Sequence, residues 1–489
     1  SVNGNVVLEE TEDYSGTEVS FYSIINPGEV AAQTTTDADG NYSLDVAPGF
    51  YLITWDNYGY LPQELGDYTL NSDTTLDLIS MQPGFVQEVC GDVSGDWVSG
   101  FVYHVSCDIT IPDGETLNIE EGVTVRFGLG TGLTCNGVLN AQGTEEDRIL
   151  FTTLSATPLP GDWDNVELYA GDNTISYVDY EYATDGFTGD FAGNSSFDHV
   201  RISAGLMSLD ANGIYLSNSS NMSFTNNEIS VAGTYNIYCD NCDFSEYTHN
   251  ILDGSDESIC AGNSYYLTIE HNEISNYLER GVRFDSSPYS KVNNNHFVGT
   301  SEGCAKWAIS SEHSDSYAQV NYNKIEYGNS TSGCAHEYHG IYVEDAEVIG
   351  DTIIWVNDGI GSATGGHAIA GHRSKVVGNY INSAGSGHWR NLINMTDNTS
   401  SKRGEISNNT IYGEEHQAAI YVHGYCDIEN NYLNGYENTA DGWSHEDYAI
   451  VLEGSGCNIR NNEVIGFRDG INADGSSNQD HEITDNYFE

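Results

Sequence analysis

The sequence predicts an all-β protein, a small β-sandwich followed by a long solenoid of stacked short strands. Three observations carry this. Short alternating apolar stretches recur between turn residues, and no apolar run in the 489 residues approaches the ~18 of a membrane helix. A pattern centred on Asn repeats from residue 227 onward with spacings of 22 to 31 residues. The chain holds 53 Gly but 8 Pro, which suits many tight turns and few rigid linkers.

Charge narrows the functions. With 74 acidic and 15 basic side chains, the formal net charge is -59. Nucleic acid is excluded as a partner, because phosphate contacts need Lys and Arg. Docking on anionic lipid is excluded for the same reason. The first basic residue is Arg126. Self-repulsion on this scale calls for cations, and Ca2+ is the suspected cofactor. The 33 Tyr, 15 Phe and 7 Trp supply ample material for a core. The chain begins at Ser1, as a processed secreted protein would, and its location is expected to be extracellular or at the cell surface.

Residues 1–82 read as a first domain and residues 83–489 as a second. In the first, Val2–Leu8, Val19–Tyr22, Asn41–Val46 and Tyr51–Trp55 alternate as strands. Turns at Asp37-Ala38-Asp39-Gly40-Asn41, Ala47-Pro48-Gly49 and Gly59-Tyr60-Leu61-Pro62 separate them. This order resembles the carboxypeptidase regulatory-like domain, a transthyretin-like β-sandwich. The resemblance implies a non-catalytic module beside other domains. Asp37, Asp39 and Asn41 have the alternate oxygen spacing of a calcium loop, although no Glu sits at the later EF-hand position. A plain Asx turn is the competing reading.

Behind it, a β-branched or aromatic residue precedes a polar residue, an Asn and a further apolar residue. Phe224 to Ile229 around Asn227 is one copy, and Ile269 to Ile274 around Asn272 another. Further copies centre on Asn295, Asn323, Asn379, Asn409, Asn431, Asn462 and Asn486, with weaker ones at Asn250 and Asp351. A second strand, such as Gly213–Leu216 or Ala419–Val422, precedes each copy. One repeat cannot bury its apolar face alone, but stacked rungs can. Rungs sit ~4.8 Å apart, so a column of identical amides can hydrogen-bond along the stack. The repeat resembles the right-handed parallel β-helix. The run Cys107 to Phe127, continuing through Gly137 to Thr153, resembles the opening coils of large secreted bacterial β-helix proteins.

The ten Cys and the lack of zinc spacing favour disulfides. Cys426 and Cys457 each lie five residues before their Asn and should stack on adjacent rungs. Cys304 with Cys334, and Cys239 with Cys260, are further candidate pairs. Connectivity among Cys90, Cys107, Cys135 and Cys242 is not readable from spacing.

Six residues before the central Asn, one column carries Tyr266, Tyr289, Tyr317, Arg373, Arg403 and Tyr425. It could bind sugar rings or simply ladder against itself. Arg373 and Arg403 could form a cationic notch. The densest basic group is His367, His372, Arg373, Lys375, His388 and Arg390. Parallel β-helices resemble polysaccharide lyases and hydrolases, but no paired-Asp or lyase signature is present, so the expectation is a non-enzyme. The last copy ends at Glu489 without a cap, so either a sorting domain is missing or another subunit covers the edge. The main expectation is the subunit of an extracellular filament assembled head to tail, a self-partnering homopolymer. The alternative is a polysaccharide-active enzyme, or an adhesin that binds extracellular glycans.

Overall fold

The computed structural model describes residues 1–9, 11–24, 30–203, 211–230, 233–299, 307–311, 317–327, 339–355, 366–383, 389–413, 416–435, 448–454, 456–473 and 480–489. The secondary structure among them is strand throughout, without helix. The chain forms two compact units. One comprises Ser1–Glu167, Thr174–Asp185 and Ser203–Met207, the other Leu168–Asn173, Gly186–Ile202 and Ser208–Glu489.

In the first unit, residues 1–81 make two four-stranded sheets. Val2–Leu8 pairs with Asn41–Leu44, Thr74–Thr75 and Ile79–Met81. Glu18–Ser23 lies between Val30–Thr35 and Gly49–Asp56, and Gln63–Leu70 closes that sheet. Alternation directs Val2, Val6, Val19, Phe21, Ile53 and Trp55 into one shared core. The first compact unit extends through Glu167. There parallel coils begin, with Leu117 over Leu139 and Val125 over Phe151. Phe127 stacks on Trp163 at 4.0 Å inside them.

The suspected calcium loop is a turn. Asp37 Oδ1 accepts from the backbone N–H of Asp39 (3.0 Å) and of Asn41 (2.8 Å), and Asn41 Oδ1 accepts from Asn5 Nδ2 at 3.0 Å. Asp37 Oδ1 and Asn41 Oδ1 are thus engaged by the chain's own donors, as in an Asx turn. No cluster of three or more His, Cys, Asp or Glu side chains able to hold a metal occurs among the described residues.

The second unit is a parallel β-solenoid of about 12 turns. Three strands make each turn, one more than the repeat pattern reveals. The motif around each Asn spans two of them. Ser223–Thr225 and Glu228–Ser230 meet at a corner where Asn226 holds φ +55°. Asn tolerates this left-handed conformation better than other residues with a Cβ. The Asn-Asn doublets therefore divide their work, the first turning the corner and the second entering the core. Three apolar columns face inward. One runs Phe224, Tyr247, Ile269, Val292, Val320. Another runs Ile229, Leu252, Ile274, Phe297, Ile325. The third runs Ile214, Ile237, Ile259, Val282, Ile309, Ile341, Ile369, Ile393, Ile420, Ile450.

The Asn column is continuous from Asn227 to Asn486. At Asn272, Nδ2 donates to Asn295 Oδ1 at 2.9 Å and to the Tyr247 carbonyl at 2.8 Å. Its Oδ1 accepts from the N–H and Nδ2 of Asn250, at 3.0 and 2.9 Å. Both donors and both lone pairs are thereby satisfied. Asn323, Asn409, Asn431 and Asn462 repeat the arrangement, and Asn379 does so except that its Oδ1 accepts from the N–H of Asp351 alone. At Asp351 the pattern is imperfect. Its Oδ1 accepts from Asn323 N–H and Nδ2, but its buried Oδ2 has no partner. By equivalence with its neighbours, that oxygen stands where an amide would donate to two acceptors. Burial pushes the Asp351 carboxyl well above its ordinary range, outweighing the hydrogen bonds from Asn323. A group whose folded pKa is raised costs nothing below its unfolded value of about 3.9 and destabilises as pH rises. Asp351→Asn should therefore stabilise the protein at pH 7 by about 1–3 kcal/mol, the cost of one buried unsatisfied group. The gain should shrink towards pH 4, as thermal melts at the two pH values would show.

Cysteine pairing departs from the expected scheme. Cys90 is bonded to Cys107, and Cys239 to Cys242. Cys260 is a free buried thiol that stacks over Tyr238, one residue out of step with Cys239, so the pleat separates the two. Cys426 and Cys457 do stack, since Asp427 pairs with Asn458, but both are free and buried. Cys457 Sγ donates instead to the Gly424 carbonyl at 3.1 Å. Cys304 and Cys334 lie outside the described residues. Burial pushes the Cys135 thiol up to about 12, so it is unreactive as well as inaccessible. Alkylation of the native protein should leave Cys135, Cys260, Cys426 and Cys457 unmodified, and denaturant should expose them together; peptide mapping reads both states.

Candidate functional site

The third sheet of the second unit turns its isoleucine column inward, and the residue after each member of that column and the residue two before it lie on the outer side. Two outer columns result. The first carries Tyr235, Glu257, Arg280, Trp307, His339 and His367 on successive rungs. The second carries Tyr215, Tyr238, Cys260, Arg283, Ser310, Tyr342, Ala370, Asn394 and Tyr421. Side-chain contacts confirm their common side, as Tyr235 lies 4.9 Å from Tyr238 and Tyr238 stacks on Tyr215 at 4.3 Å.

Charge on this face is buried and balanced. Glu257, with 6 % of its side chain exposed, accepts from Arg280 and from Arg283 Nη1 at 3.5 Å. Arg283 Nε donates to Asp285 at 2.6 Å. Burial works against the Arg283 charge, but the Asp285 hydrogen bond together with the charges of Asp285 and Glu257 and the nearby Cys260 holds the guanidinium above its ordinary range. The Arg280 guanidinium lies 4.6 Å over the Trp307 ring, whose other neighbour is His339 at 5.7 Å. His367 Nδ1 contacts the Asn391 carbonyl at 2.9 Å, which can only accept. That fixes the proton on Nδ1 and leaves Nε2 to accept from Asn394 Nδ2 at 3.1 Å.

A second cluster joins it at Tyr342. Asp397 Oδ2 lies 2.9 Å from His372 Nδ1, and Tyr342 Oη lies 3.3 Å from His372 Nε2. The carboxylate holds the proton on Nδ1, so Nε2 accepts from the phenol. Thr396 Oγ1, 3.1 Å from Nδ1, supports the same ring. The His372 hydrogen bond lowers the Asp397 carboxyl below its ordinary range. Beside this relay, Arg373 pairs with Asp345 through Nε and Nη2, both at 3.2 Å, and Lys402 Nζ reaches Asp345 at 3.2 Å. Burial opposes the Asp345 charge, but Arg373 and Lys402 outweigh it and hold the carboxyl low.

The residues singled out in sequence are partly united here. His367, His372 and Arg373 share the face, and Lys375 pairs with Glu347 at 3.1 Å. His388 lies outside the described residues. Arg373 and Arg403 form no cationic notch. Arg373 reaches back one rung to Asp345, whereas Arg403 reaches forward to Asp427 at 2.6 Å and lies 5.9 Å from the Tyr425 ring. Tyr266, Tyr289 and Tyr317 stack with Phe244 at 5.1–5.3 Å and 9–14°. Their faces are spent on one another, so the stripe offers ring edges rather than faces to a sugar. Glu257, Arg280, Trp307, Tyr342 and Asp397 escaped the sequence reading. Tyr235, Glu257 and Arg280 lie fifteen residues before their ladder Asn, a countable signal, but at His339 and His367 the offset is twelve.

Comparisons with known proteins agree on the coil. A family model described as "Periplasmic copper-binding protein (NosD)" matches residues 171–338. The fruit fly (Drosophila melanogaster) protein bark beetle is 34% identical over 98 residues, which are 19% of this chain. The chain spans 3% of the length of that curated relative. Three solved structures are similar at low identity. A surface adhesin of Streptococcus pneumoniae is 13% identical, with 69% of this chain and 82% of that one covered and a TM-score of 0.29. A periplasmic alginate epimerase is 11% identical over 80% and 76% of the chains, TM-score 0.25. A DFA-IIIase of Arthrobacter chlorophenolicus is 10% identical over 74% and 84%, TM-score 0.30. Against the expectation of a non-enzyme, the similar structures include these two enzymes. The copper of the matching family finds no fitting donor set among the described residues. The stacked pair His249 and His271, at 5.1 Å, gains no third ligand.

Removing one partner of a buried ion pair strands the other charge. Arg280→Ala should destabilise the protein by about 3–5 kcal/mol, and Glu257→Gln in the same chain should recover part of it; denaturant melts of the single and double variants measure both.

Proposed function

We propose that this is a polysaccharide-active enzyme of the cell surface or periplasm, working on the outer face of its solenoid. The Asp397–His372–Tyr342 relay carries the reading. An ionised carboxylate, an imidazole with a fixed proton and a phenol aligned on the bare nitrogen form a path for general acid–base catalysis. Tyr342 passes its proton to His372 Nε2 and takes one from a sugar carbon or hydroxyl, or runs the step in reverse. Asp397 stabilises the imidazolium formed in between. Arg373, anchored by Asp345, keeps a positive charge beside the relay without swinging into it. Lyase and hydrolase chemistry on a glycan both need such a transfer.

The two disulfides support an oxidising compartment, and the matching family is described as periplasmic. No helix among the described residues is long and apolar enough to cross a membrane. For residues 1–82 we propose the accessory, non-catalytic role of the carboxypeptidase regulatory-like domain that they resemble. Head-to-tail assembly has no comparable observation behind it, and the glycan reading takes its place.

The test is product release from a polysaccharide panel, read as reducing ends and as unsaturated ends. Tyr342→Phe and His372→Ala should each lower the rate about 10²–10⁴-fold. Unchanged turnover in both variants would remove the relay from the mechanism.

A further inference from the structure

The outer face on both sides of Tyr342 holds polar atoms that the protein does not satisfy. Glu257 Oε2, Trp307 Nε1, Ser310 Oγ and Asn394 Oδ1 are each buried without a hydrogen-bond partner. Glu257 is 4 % exposed and Ser310 0 %. An unmade hydrogen bond at a buried polar atom costs about 1–3 kcal/mol. Four of them along one sheet face would be an unusual concentration of cost in a solenoid whose Asn column is satisfied almost throughout.

Their chemistry specifies what would relieve them. Glu257 Oε2 and Asn394 Oδ1 accept, Trp307 Nε1 donates, and Ser310 Oγ does either. Asn394 is oriented by His367, so its oxygen and not its nitrogen is the free end. A ligand that both donates and accepts at intervals along the sheet is required, and a row of sugar hydroxyls does this. The atoms lie on rungs ~4.8 Å apart, so Trp307 and Asn394, three rungs from one another, span about 14 Å. That is the scale of a short oligosaccharide laid parallel to the solenoid axis.

Charge specifies the class further. Glu257 and Asp285 are matched by Arg280 and Arg283, so among the described residues this part of the face offers no spare cation. Arg373 and Lys402 are likewise engaged by Asp345. With a net charge of -59 around it, a polyanion meets repulsion and no counter-charge.

We propose that the face from Glu257 to Asn394 binds a neutral glycan along the solenoid axis and presents it to Tyr342, an inference that rests on the polysaccharide reading above. The acidic polysaccharides are thereby placed outside the substrate class. The hydroxyls replace the missing partners of Trp307, Ser310 and Asn394.

The experiment is titration calorimetry on the full chain carrying Tyr342→Phe, so that binding is read without turnover. The probes are neutral cello-, xylo-, manno- and inulo-oligosaccharides, and acidic oligogalacturonate and oligomannuronate. At least one neutral probe should bind and neither acidic one should. Trp307→Phe, which keeps the ring and removes the donor, and Ser310→Ala should each weaken that binding about tenfold while the melting curve stays in place. Tighter binding of an acidic probe, no binding by any probe, or neutral binding untouched by both substitutions would overturn the proposal. Neutral binding together with full turnover by Tyr342→Phe would leave the site standing and remove the relay instead.

Discussion

The buried amide column is the constraint on which the second unit depends. Each Asn must meet the one above and the one below, and it must also reach a carbonyl of the preceding rung. Only a side chain with two donors and one carbonyl oxygen at this length does all three. Rung height and register are then fixed at one point in every turn. Strands elsewhere in the turn inherit that register, which is why the isoleucine column stays aligned from Ile214 to Ile450 although the spacing between ladder residues varies from 22 to 31. Insertions are absorbed between strands, where no column has to be kept.

Register fixed from inside leaves the outer face free to vary. A core column must stay apolar on every rung, whereas an outer column can change its chemistry at each step. That freedom brings Glu257, Arg280, Trp307, His339 and His367 into line. Near neighbours on adjacent rungs then pair or stack, and the scarce basic residues end up opposite acids. A protein with so few cations uses them as internal partners rather than as a positive surface.

The architecture was legible in the sequence because it is periodic. The Asn centres, the apolar positions flanking them and the strand before each copy can be counted directly. The third strand of the turn was missed, since the corner between its neighbours is made by a single left-handed residue that looks like part of one strand. Cys426 and Cys457 were placed on adjacent rungs correctly, but stacking does not decide whether two sulfurs bond. Cys239 was misassigned because its partner, Cys242, lies across a turn rather than across rungs. The relay was illegible for a different reason. Tyr342, His372 and Asp397 come from three successive rungs, and insertions between those rungs erase any fixed spacing. The histidine was in view; the phenol and the carboxylate that give it direction were not.

Ladder and strand bonds all cross the same boundary between rungs, and this has a mechanical meaning. A pull along the axis loads three strand pairings and one amide contact at once, so they share the force and must fail together. A pull on a single outer loop loads one strand pairing at a time and peels it. The solenoid is therefore stiff against tension along its axis and yielding at its sides.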